Sequence, residues 1–368
     1  MADLVVLHSP VGGGHKAAAM AVAEAARARG AEVEVIDAFD FAPRVFGGAY
    51  RSAHFAGQRA WPELYGSAYF AANHRGGAFE PVRRGIDHLA FLRLMKRICA
   101  MRPRAVVATH HLPLVVLGRA RRKGWLEAPL VGVVTDYTAH ACWAEAGVDA
   151  FAVACAQARR ELLLHGVSPA RVAVTGLPVR PAFDRIAPLC APRLGEPLRV
   201  LVTSGGFGVG PVAKVIRSFE GIEGVELTVV CGNGAALEAR AARAARCARV
   251  RARILGFERD MPARVAEAHV VVGKAGGLTV SESLSAGRPL VIVGAIPGNE
   301  AQNEEFVVAG GGGIACAPES VGAYVDRLRS GGQLERMGAR ARALVTHDAA
   351  ARVADLALGS IDRGSLAA

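Results

Sequence analysis

Short runs of apolar residues alternate with longer stretches of helical periodicity along most of the chain. Such runs are typical of strands buried in a parallel sheet, and the Ala-rich stretches between them favour helices. The predicted strands cover residues 4–7, 33–36, 105–108, 130–134, 151–154, 225–230, 250–255, 269–272 and 290–293. Residues 198–216 repeat the opening order of strand, Gly-rich loop and helix. The pattern predicts an α/β protein with doubly wound parallel sheets.

A segment with three prolines and one glycine, residues 186–197, separates two copies of this pattern. We predict a linker there, an N-terminal Rossmann-like domain over residues 1–185 and a C-terminal one over 198–350. Residues 351–368 are predicted as a tail or helix. Two domains are also the natural expectation for a chain of 368 residues. Because ligands of doubly wound sheets bind at the carboxyl ends of strands, the active site is expected in a cleft between two facing domains.

The first predicted strand leads into Gly12–Gly14 and then into a helix that carries His15 on its first turn. A helix N-terminus of this kind favours a phosphate, and an imidazole titrates near neutral pH. His15 is therefore a candidate catalytic residue, and a plain turn with His15 on the surface is the alternative. The loop also matches G-x-G-x-x-A, with Asp37 ending the next strand, which is the weak fingerprint of an NAD-dependent oxidoreductase.

The strongest motif lies in residues 254–306, where GKAGGLT (273–279) follows a strand and turns directly into a helix. Glycine backbones can approach a diphosphate closely, and a carboxylate one turn into the helix can accept hydrogen bonds from ribose hydroxyls. A glycine-tightened turn with solvated carboxylates is the alternative. The candidates for binding a nucleotide diphosphate and its sugar are Gly14, Gly206, Phe207, Gly208, Gly256, Phe257, Met261, Lys274, Gly276, Gly277, Leu278, Thr279, Glu282, Glu300 and Asn303.

Polar residues also follow strands in the first half of the chain. Asp136 and His140 come after LVGVVT, and Asp136 is expected either to orient or charge-pair His15 or to cap a helix. We interpret His110 and His111 as pocket lining, because adjacent side chains diverge and no third metal ligand is evident. Trp143 fits core packing or contact with a substrate.

The net charge of +11 is concentrated in residues 75–123, which hold twelve basic residues against two acidic ones. Such a surface attracts anionic lipid, nucleic acid or an acidic substrate, and solvated arginines without a partner are the alternative. Residues 44–74 gather seven aromatic residues, which suits a membrane interface or a helix packed on the core, and the adjacent basic stretch favours the membrane. No nucleic-acid-binding motif is present.

Seven cysteines without a C-x-x-C pair are typical of reduced thiols in a cytoplasmic protein. The N-terminal apolar run is interrupted by His8 and Pro10, so we expect no signal peptide. No apolar run is long enough to span a bilayer.

Six motifs follow one another along the chain: GGGHKAAA (12–19), TDYTAHACW (135–143), VTGLPVRPAF (174–183), GGFGVGP (205–211), GKAGGLTVSESLSAG (273–287) and PGNEAQN (297–303). In this order they resemble the motifs of the monogalactosyldiacylglycerol synthase and processive diacylglycerol glucosyltransferase family. These are inverting glycosyltransferases of the GT-B fold, related to the lipid II synthase of peptidoglycan assembly. Ala275 stands where the family usually has Pro, and Asn299 where it usually has Gln, a difference that bears on the donor sugar.

The resemblance implies an enzyme that moves a hexose from UDP-glucose or UDP-galactose to diacylglycerol or a glycosyl-diacylglycerol. It places Phe257 near the uracil, Glu282 at the ribose, and Glu300 and Asn303 at the hexose. No cofactor or metal is expected, which agrees with the lack of a D-x-D motif. The expected acceptor and membrane residues are Trp61, Tyr65, Tyr69, His140 and Trp143.

The base is expected to be His15, with Asp136 as the second catalytic residue. We expect a cytoplasmic protein attached peripherally to the anionic inner face of the cell membrane, without a nucleic-acid partner. Two alternatives remain open at this point: a UDP-sugar 2-epimerase on the same fold, and a non-catalytic UDP-sugar- or lipid-binding protein.

Overall fold

The computed structural model describes residues 2–10, 12–50, 52, 62–74, 80–193, 195–206, 208 and 210–359. Contacts divide them into two compact units. Unit 1 comprises the described residues within Met1–Pro181, Ile296–Asn299 and Thr346–Ala368. Unit 2 comprises those within Ala182–Ala295 and Glu300–Val345.

Each unit contains a six-stranded sheet in which all described strand pairs are parallel. The strands of unit 1 are β1 (Leu4–His8), β2 (Val33–Asp37), β3 (Ala105–Ala108), β4 (Leu130–Val133), β5 (Ala150–Val153) and β6 (Val172–Val174). Those of unit 2 are β7 (Leu198–Thr203), β8 (Val225–Val230), β9 (Ala252–Leu255), β10 (Val270–Gly273), β11 (Leu290–Ile292) and β12 (Gly313–Ala315). The spatial orders are β2-β1-β3-β4-β5-β6 and β12-β11-β10-β7-β8-β9.

Helices follow most of the strands, as doubly wound sheets require. They are α1 (Gly13–Arg27), α2 (Pro62–Ala71), α3 (Glu80–Ala90), α4 (Leu92–Met101), α5 (His111–Arg122), α6 (Ala156–Leu164), α7 (Pro181–Asp184), α8 (Val212–Arg217), α9 (Ala235–Cys247), α10 (Met261–Glu267), α11 (Gly277–Ser285), α12 (Asn299–Ala309), α13 (Val321–Leu328), α14 (Gln333–Ala343) and α15 (Ala349–Leu358). Residues 44–50 are also helical. Short 3₁₀ helices cover Ala38–Phe41, Ala141–Trp143, Pro169–Arg171 and Pro318–Ser320.

Helices cover both faces of the sheet of unit 1. Successive strand residues point to opposite faces, so each strand contributes apolar side chains to both. Val5 and Leu7 of β1 pack in the cluster that contains Phe91 and Leu94. Leu4 and its alternate neighbours pack instead against the alanines of α1 and against α15. The C-terminal helix is thus part of the core of unit 1.

Unit 2 has a corresponding core between its sheet and helices α8, α9 and α13. Two arginines attach the segment that precedes β7 to this unit. The Arg342 guanidinium donates to the backbone oxygens of Asp184 and Ile186, and buried Arg288 donates to that of Ala187. The described residues of the predicted linker therefore group with unit 2.

The structure confirms the predicted fold class, two doubly wound parallel sheets. The predicted strands match β1–β5 and β7–β11 within one or two residues, whereas β6 and β12 have only three residues each and were not predicted. The units also differ from the predicted ranges. Residues after 346 group with unit 1 because α15 packs on α1, and Ile296–Asn299 do so as well.

Candidate active site

Unit 2 contains a candidate nucleotide site, at the point where the strand order of its sheet changes direction. β7 and β10 are neighbours at the centre of the sheet, and the chain leaves this pair toward opposite edges. Such a switch point leaves a crevice at the carboxyl ends of the two strands, where ligands of this fold class bind. The loops that follow β7 and β10 are the two Gly-rich loops predicted from the sequence.

The loop after β10 leads into α11, whose N-cap residue, Gly276, has no side chain to cap the helix. The first amides of α11 therefore receive no side-chain hydrogen bond at the cap, and they form a site with partial positive charge. Gly277 and Leu278 are buried in this first turn, and Thr279 is half-buried. This arrangement suits a diphosphate.

Polar side chains join this loop to the first turn of α12. Lys274 Nζ lies 3.1 Å from Glu300 Oε1, and both side chains are largely buried, with 23% and 12% of their surface exposed. Buried Asn303 donates from Nδ2 to the backbone oxygen of Ala275 at 3.0 Å. The structure thus brings together Lys274, Glu300 and Asn303, three residues predicted to bind the donor.

The loop after β7 interlocks with the loop after β8. Gly208 has a φ of 64°, and a Cβ atom there would lie 2.6 Å from the backbone oxygen of Cys231. Gly232 is equally restricted, because a Cβ atom would lie 2.5 Å from the backbone oxygen of Gly205. Only glycine permits this approach of two backbones. Phe207, a predicted donor residue between Gly206 and Gly208, lies outside the described residues.

The remaining donor candidates of unit 2 surround these loops. Gly256 and Phe257 follow β9, and the Phe257 ring is 59% exposed, which leaves a flat apolar surface on which a base can stack. Half-buried Met261 begins α10, and half-buried Glu282 lies one turn into α11.

Unit 1 contains a candidate catalytic site of its own, where β1 ends and α1 begins. Gly12 has a φ of 85°, which allows the tight turn into the helix, and Gly14 and His15 occupy the first turn. The Thr109 hydroxyl donates to the backbone oxygen of His15 at 2.8 Å. Neighbouring β3 therefore holds the start of α1.

The hydrogen bonds of the His15 imidazole fix its tautomer. Nδ1 lies 2.6 Å from the backbone oxygen of Thr109, which can only accept, so Nδ1 carries the proton. The Thr135 hydroxyl, 3.0 Å from Nδ1, adds a second polar contact on the same side of the ring. In the neutral ring Nε2 is then the unprotonated nitrogen, and burial lowers the pKa of His15 to about 4. The neutral imidazole, the form that a general base needs, thus predominates at neutral pH.

Of the two roles predicted for Asp136, a contact with His15 is not seen among the described residues. Among the described residues, the side-chain hydrogen bonds of His15 go to Thr109 and Thr135. The Asp136 carboxylate instead accepts a hydrogen bond from Asn299 Nδ2 at 3.0 Å.

The predicted acceptor residues have other partners in unit 1. His140 Nε2 donates to the backbone oxygen of Tyr69 at 3.0 Å, while Nδ1 accepts from the Cys142 amide, and burial lowers the pKa of the ring. The half-buried Tyr69 ring lies tilted against the His140 ring, with ring centroids 4.7 Å apart and an angle of 53° between the planes. The Trp143 side chain is buried in the core, so it packs there and is not presented to an acceptor.

The structure also gives the contacts of His110, which was predicted to line a pocket, and of Asp37, the acid of the NAD fingerprint. His110 caps α5 by accepting the Leu112 amide, and its ring meets the His15 ring edge-on at 4.6 Å. Asp37 accepts the Phe39 amide, so this carboxylate, the acid of the NAD fingerprint, serves as a cap in the structure. In the part of the chain that the structure describes, no three His, Cys, Asp or Glu side chains form a group suited to a metal ion.

Two residues of the aromatic segment pack on the core of unit 1. Phe46 and Tyr50 contact Phe39 and the core cluster, whereas Phe70 is 46% exposed. Trp61 lies outside the described residues, and so does the side chain of Tyr65.

A surface that we did not predict lies on α3. Val82, Ile86 and Leu89 are 62%, 52% and 69% exposed, and their spacing places them on one face of the helix. On the other side of α3, Arg84 pairs with the buried carboxylate of Glu145. The apolar residues at intervals of four and three were the sequence signal for this surface.

Two family descriptions match the chain. Residues 15–179 match the monogalactosyldiacylglycerol (MGDG) synthase family, and residues 199–352 match the glycosyltransferase family 28 C-terminal domain. Among solved structures, MurG of Acinetobacter baumannii has a TM-score of 0.64 at 19% identity and covers 97% of this chain and 99% of its own. The solved structure shares the GT-B fold, and the two family matches define the class of the protein as a glycosyltransferase.

Curated relatives specify the family. The chain is 28% identical over 346 residues to the probable monogalactosyldiacylglycerol synthase 2, chloroplastic, of Oryza sativa subsp. japonica, covering 85% of this chain and 70% of that protein. It is 26% identical over 200 residues to the processive diacylglycerol beta-glucosyltransferase of Bacillus subtilis (strain 168), covering 53% and 52%. The protein belongs to the MGDG synthase and diacylglycerol glucosyltransferase family. The predicted family and enzyme class are confirmed, and the epimerase and non-catalytic alternatives are not favoured.

Proposed function

We propose that this protein transfers a hexose from UDP-glucose or UDP-galactose to diacylglycerol or a glycosyl-diacylglycerol, with inversion at the anomeric carbon. The names of the two curated relatives support a glycerolipid acceptor and a hexose donor. The observation that carries the proposal is the His15 imidazole, whose Nδ1–H is held by Thr109 so that Nε2 is the basic nitrogen. Radiolabelled UDP-glucose and UDP-galactose, each incubated with diacylglycerol vesicles, test it. Label is expected in the extracted lipid, and label that stays water-soluble with both donors would contradict it.

The proposed step exchanges one bond and moves one proton. The acceptor hydroxyl oxygen forms a bond to the anomeric carbon while the bond from that carbon to the diphosphate breaks. The hydroxyl proton moves to Nε2 of His15. UDP leaves with the extra negative charge, which the α11 amides and the Lys274 ammonium stabilise. This assignment requires neither a metal nor another cofactor.

Glu282 is the proposed ribose contact, because it lies one turn beyond the diphosphate-binding amides. Glu282→Ala is expected to weaken UDP binding about 10- to 150-fold, since a hydrogen bond to a charged group contributes roughly 1.5–3 kcal/mol. Isothermal titration calorimetry with UDP measures the effect. Glu305→Ala, which removes an exposed carboxylate from α12, is the matched control and should bind UDP like the unmodified protein. Unchanged affinity in a folded Glu282→Ala protein would place the ribose elsewhere.

We further propose that the protein binds peripherally to the anionic inner face of the cell membrane. No helix in the described ranges is both long and apolar enough to cross a bilayer. The apolar face of α3 (Val82, Ile86 and Leu89) is followed on α4 by the exposed basic residues Arg93 and Lys96. Apolar side chains beside cations fit the interface of an anionic membrane.

The triple variant Val82→Ser, Ile86→Ser and Leu89→Ser is therefore expected to bind phosphatidylglycerol vesicles about 100-fold more weakly. Each side chain contributes roughly 1 kcal/mol when about half of it leaves water. Sedimentation with vesicles measures the bound fraction, which should also fall as salt screens the basic residues. Leu164→Ser, at a residue of unit 1 that is 84% exposed, is the control. Equal binding of the triple variant and this control would exclude the α3 face as the contact.

A further inference from the structure

The segment Ile296–Asn299 leads directly into Glu300, yet its contacts are with unit 1. It packs closely on α2: a Cβ atom on Gly66 would lie 2.5 Å from the Cβ of Pro297. Gly298, with a φ of 110°, lies against the Tyr69 ring, which a Cβ atom would approach to 3.3 Å. Side chains at Gly66 or Gly298 would separate the segment from α2, so both glycines are needed for this contact.

One polar contact fixes the end of the same segment. Asn299 Nδ2 donates to Asp136 Oδ1 at 3.0 Å, and both side chains are half-buried. The acceptor is a carboxylate at the carboxyl end of β4, so the bond is charge-assisted and stronger than a bond between neutral groups.

Asn299 is also the first residue of α12, and this gives the contact its consequence. Glu300, the next residue, pairs with Lys274, and Asn303, one turn later, donates to Ala275. A helix turn is stiff, so fixing its first residue fixes the direction in which the following side chains point. The hydrogen bond between Asp136 and Asn299 therefore bears on Glu300 and Asn303 through the first turn of α12.

We propose that Asp136 is a positioning residue that holds Asn299, and through it the start of α12, in the orientation needed for recognition of the donor hexose. This inference rests on the proposed function, in which Glu300 and Asn303 bind that hexose. In this role Asp136 does not act on the reacting atoms, in contrast to the expectation from the sequence that it is the second catalytic residue. This role also explains how position 299 accommodates asparagine. The asparagine side chain is shorter than that of glutamine, but its amide already reaches the Asp136 carboxylate.

The test is a double-mutant cycle on Asp136 and Asn299. Asp136→Ala is expected to raise KM for the UDP-hexose about 10-fold, which is the lower end for a hydrogen bond to a charged group, while kcat changes little. Asn299→Ala should have the same effect, and the double variant should be no worse than either single variant. Asp136→Asn retains an acceptor oxygen for Asn299 but has no basic carboxylate, so it should restore KM to near the original value. Asp40→Ala, an exposed carboxylate of unit 1, is the matched control.

Two results would overturn the proposal: an Asp136→Asn protein as impaired as Asp136→Ala, or a double variant whose loss is the product of the single losses. The first would assign chemistry to the carboxylate, and the second would show that the two residues act independently. Calorimetry with UDP-hexose repeats the cycle without turnover. A protein that binds UDP-hexose with the expected coupling but transfers no sugar would contradict the proposed function and leave the positioning role intact.

Discussion

Replacing His15 by alanine is expected to lower the rate of sugar transfer by about 10²–10⁴-fold, the usual effect of losing a general base. The backbone oxygen of Thr109 holds Nδ1–H, so the alanine variant loses the one ring nitrogen that can accept the acceptor proton. UDP affinity should be nearly unchanged, because the proposed nucleotide contacts lie in unit 2. Transfer kinetics with diacylglycerol vesicles and calorimetry with UDP measure the two quantities.

His15→Asn separates chemistry from structure at this position. Its amide can still donate toward Thr109, but it has no basic nitrogen, so it should be as inactive as His15→Ala. His74→Ala, at an exposed histidine of unit 1, is the control and should retain transfer. A His15→Asn protein with close to the original rate would exclude His15 as the base.

The pH profile of kcat/KM is a second readout of the same role. Burial lowers the pKa of His15 to about 4, so the imidazole is neutral and competent above that value and becomes protonated below it. The His15 contribution to kcat/KM should therefore stay constant from neutral pH down to about pH 5 and fall as the pH passes through about 4. A decline centred near 6.5, the ordinary value for histidine, would mean that the ring is solvated in the active protein.

Lys274→Met is expected to lower kcat by about 10²–10³-fold, in the range found when one group that stabilises transition-state charge is removed. Two effects combine here. The leaving diphosphate loses a cation, and Glu300 loses the ammonium that lies 3.1 Å from its carboxylate. Steady-state transfer kinetics, together with UDP affinity, give the size of the change.

Lys214→Met provides the comparison for this variant. Lys214 forms an ion pair of similar length, 2.9 Å, with Glu319, but both side chains are more than half exposed. Surface pairs of this kind contribute little, so this variant should transfer sugar normally. Equal rates for the two methionine variants would show that Lys274 has no role in the reaction.

The sequence predicted the elements whose signal is local. Strands such as β3 and β10 are short apolar runs, and glycines mark the turns into α1 and α11, so the Gly-rich loops before these two helices were located correctly. The packing of segments that are distant in sequence could not be predicted from local patterns. Nothing local indicates that α15 packs on α1, or that Ile296–Asn299 belong with unit 1, since both depend on surfaces formed far away in the chain.

The site shows the same division. Lys274, Glu300 and Asn303 were selected from motifs, and the structure brings them together. The partners of Asp136 and His140 could not be derived, because a carboxylate or imidazole at a strand end fits a catalytic, a capping or a bracing role equally well. Only the positions of Asn299 and the Tyr69 backbone oxygen distinguish these roles.

The anomeric configuration of the lipid product shows whether sugar transfer inverts the anomeric carbon. UDP-hexoses are α-linked, so one displacement assisted by one base must produce a β-linked glycolipid. The product formed from diacylglycerol would be extracted and its anomeric proton examined by NMR. We expect the large coupling constant of a β-hexoside bound to glycerol. This product should be formed by the unmodified protein and be nearly absent with His15→Asn. An α-linked product, or release of free hexose without a glycolipid, would contradict it.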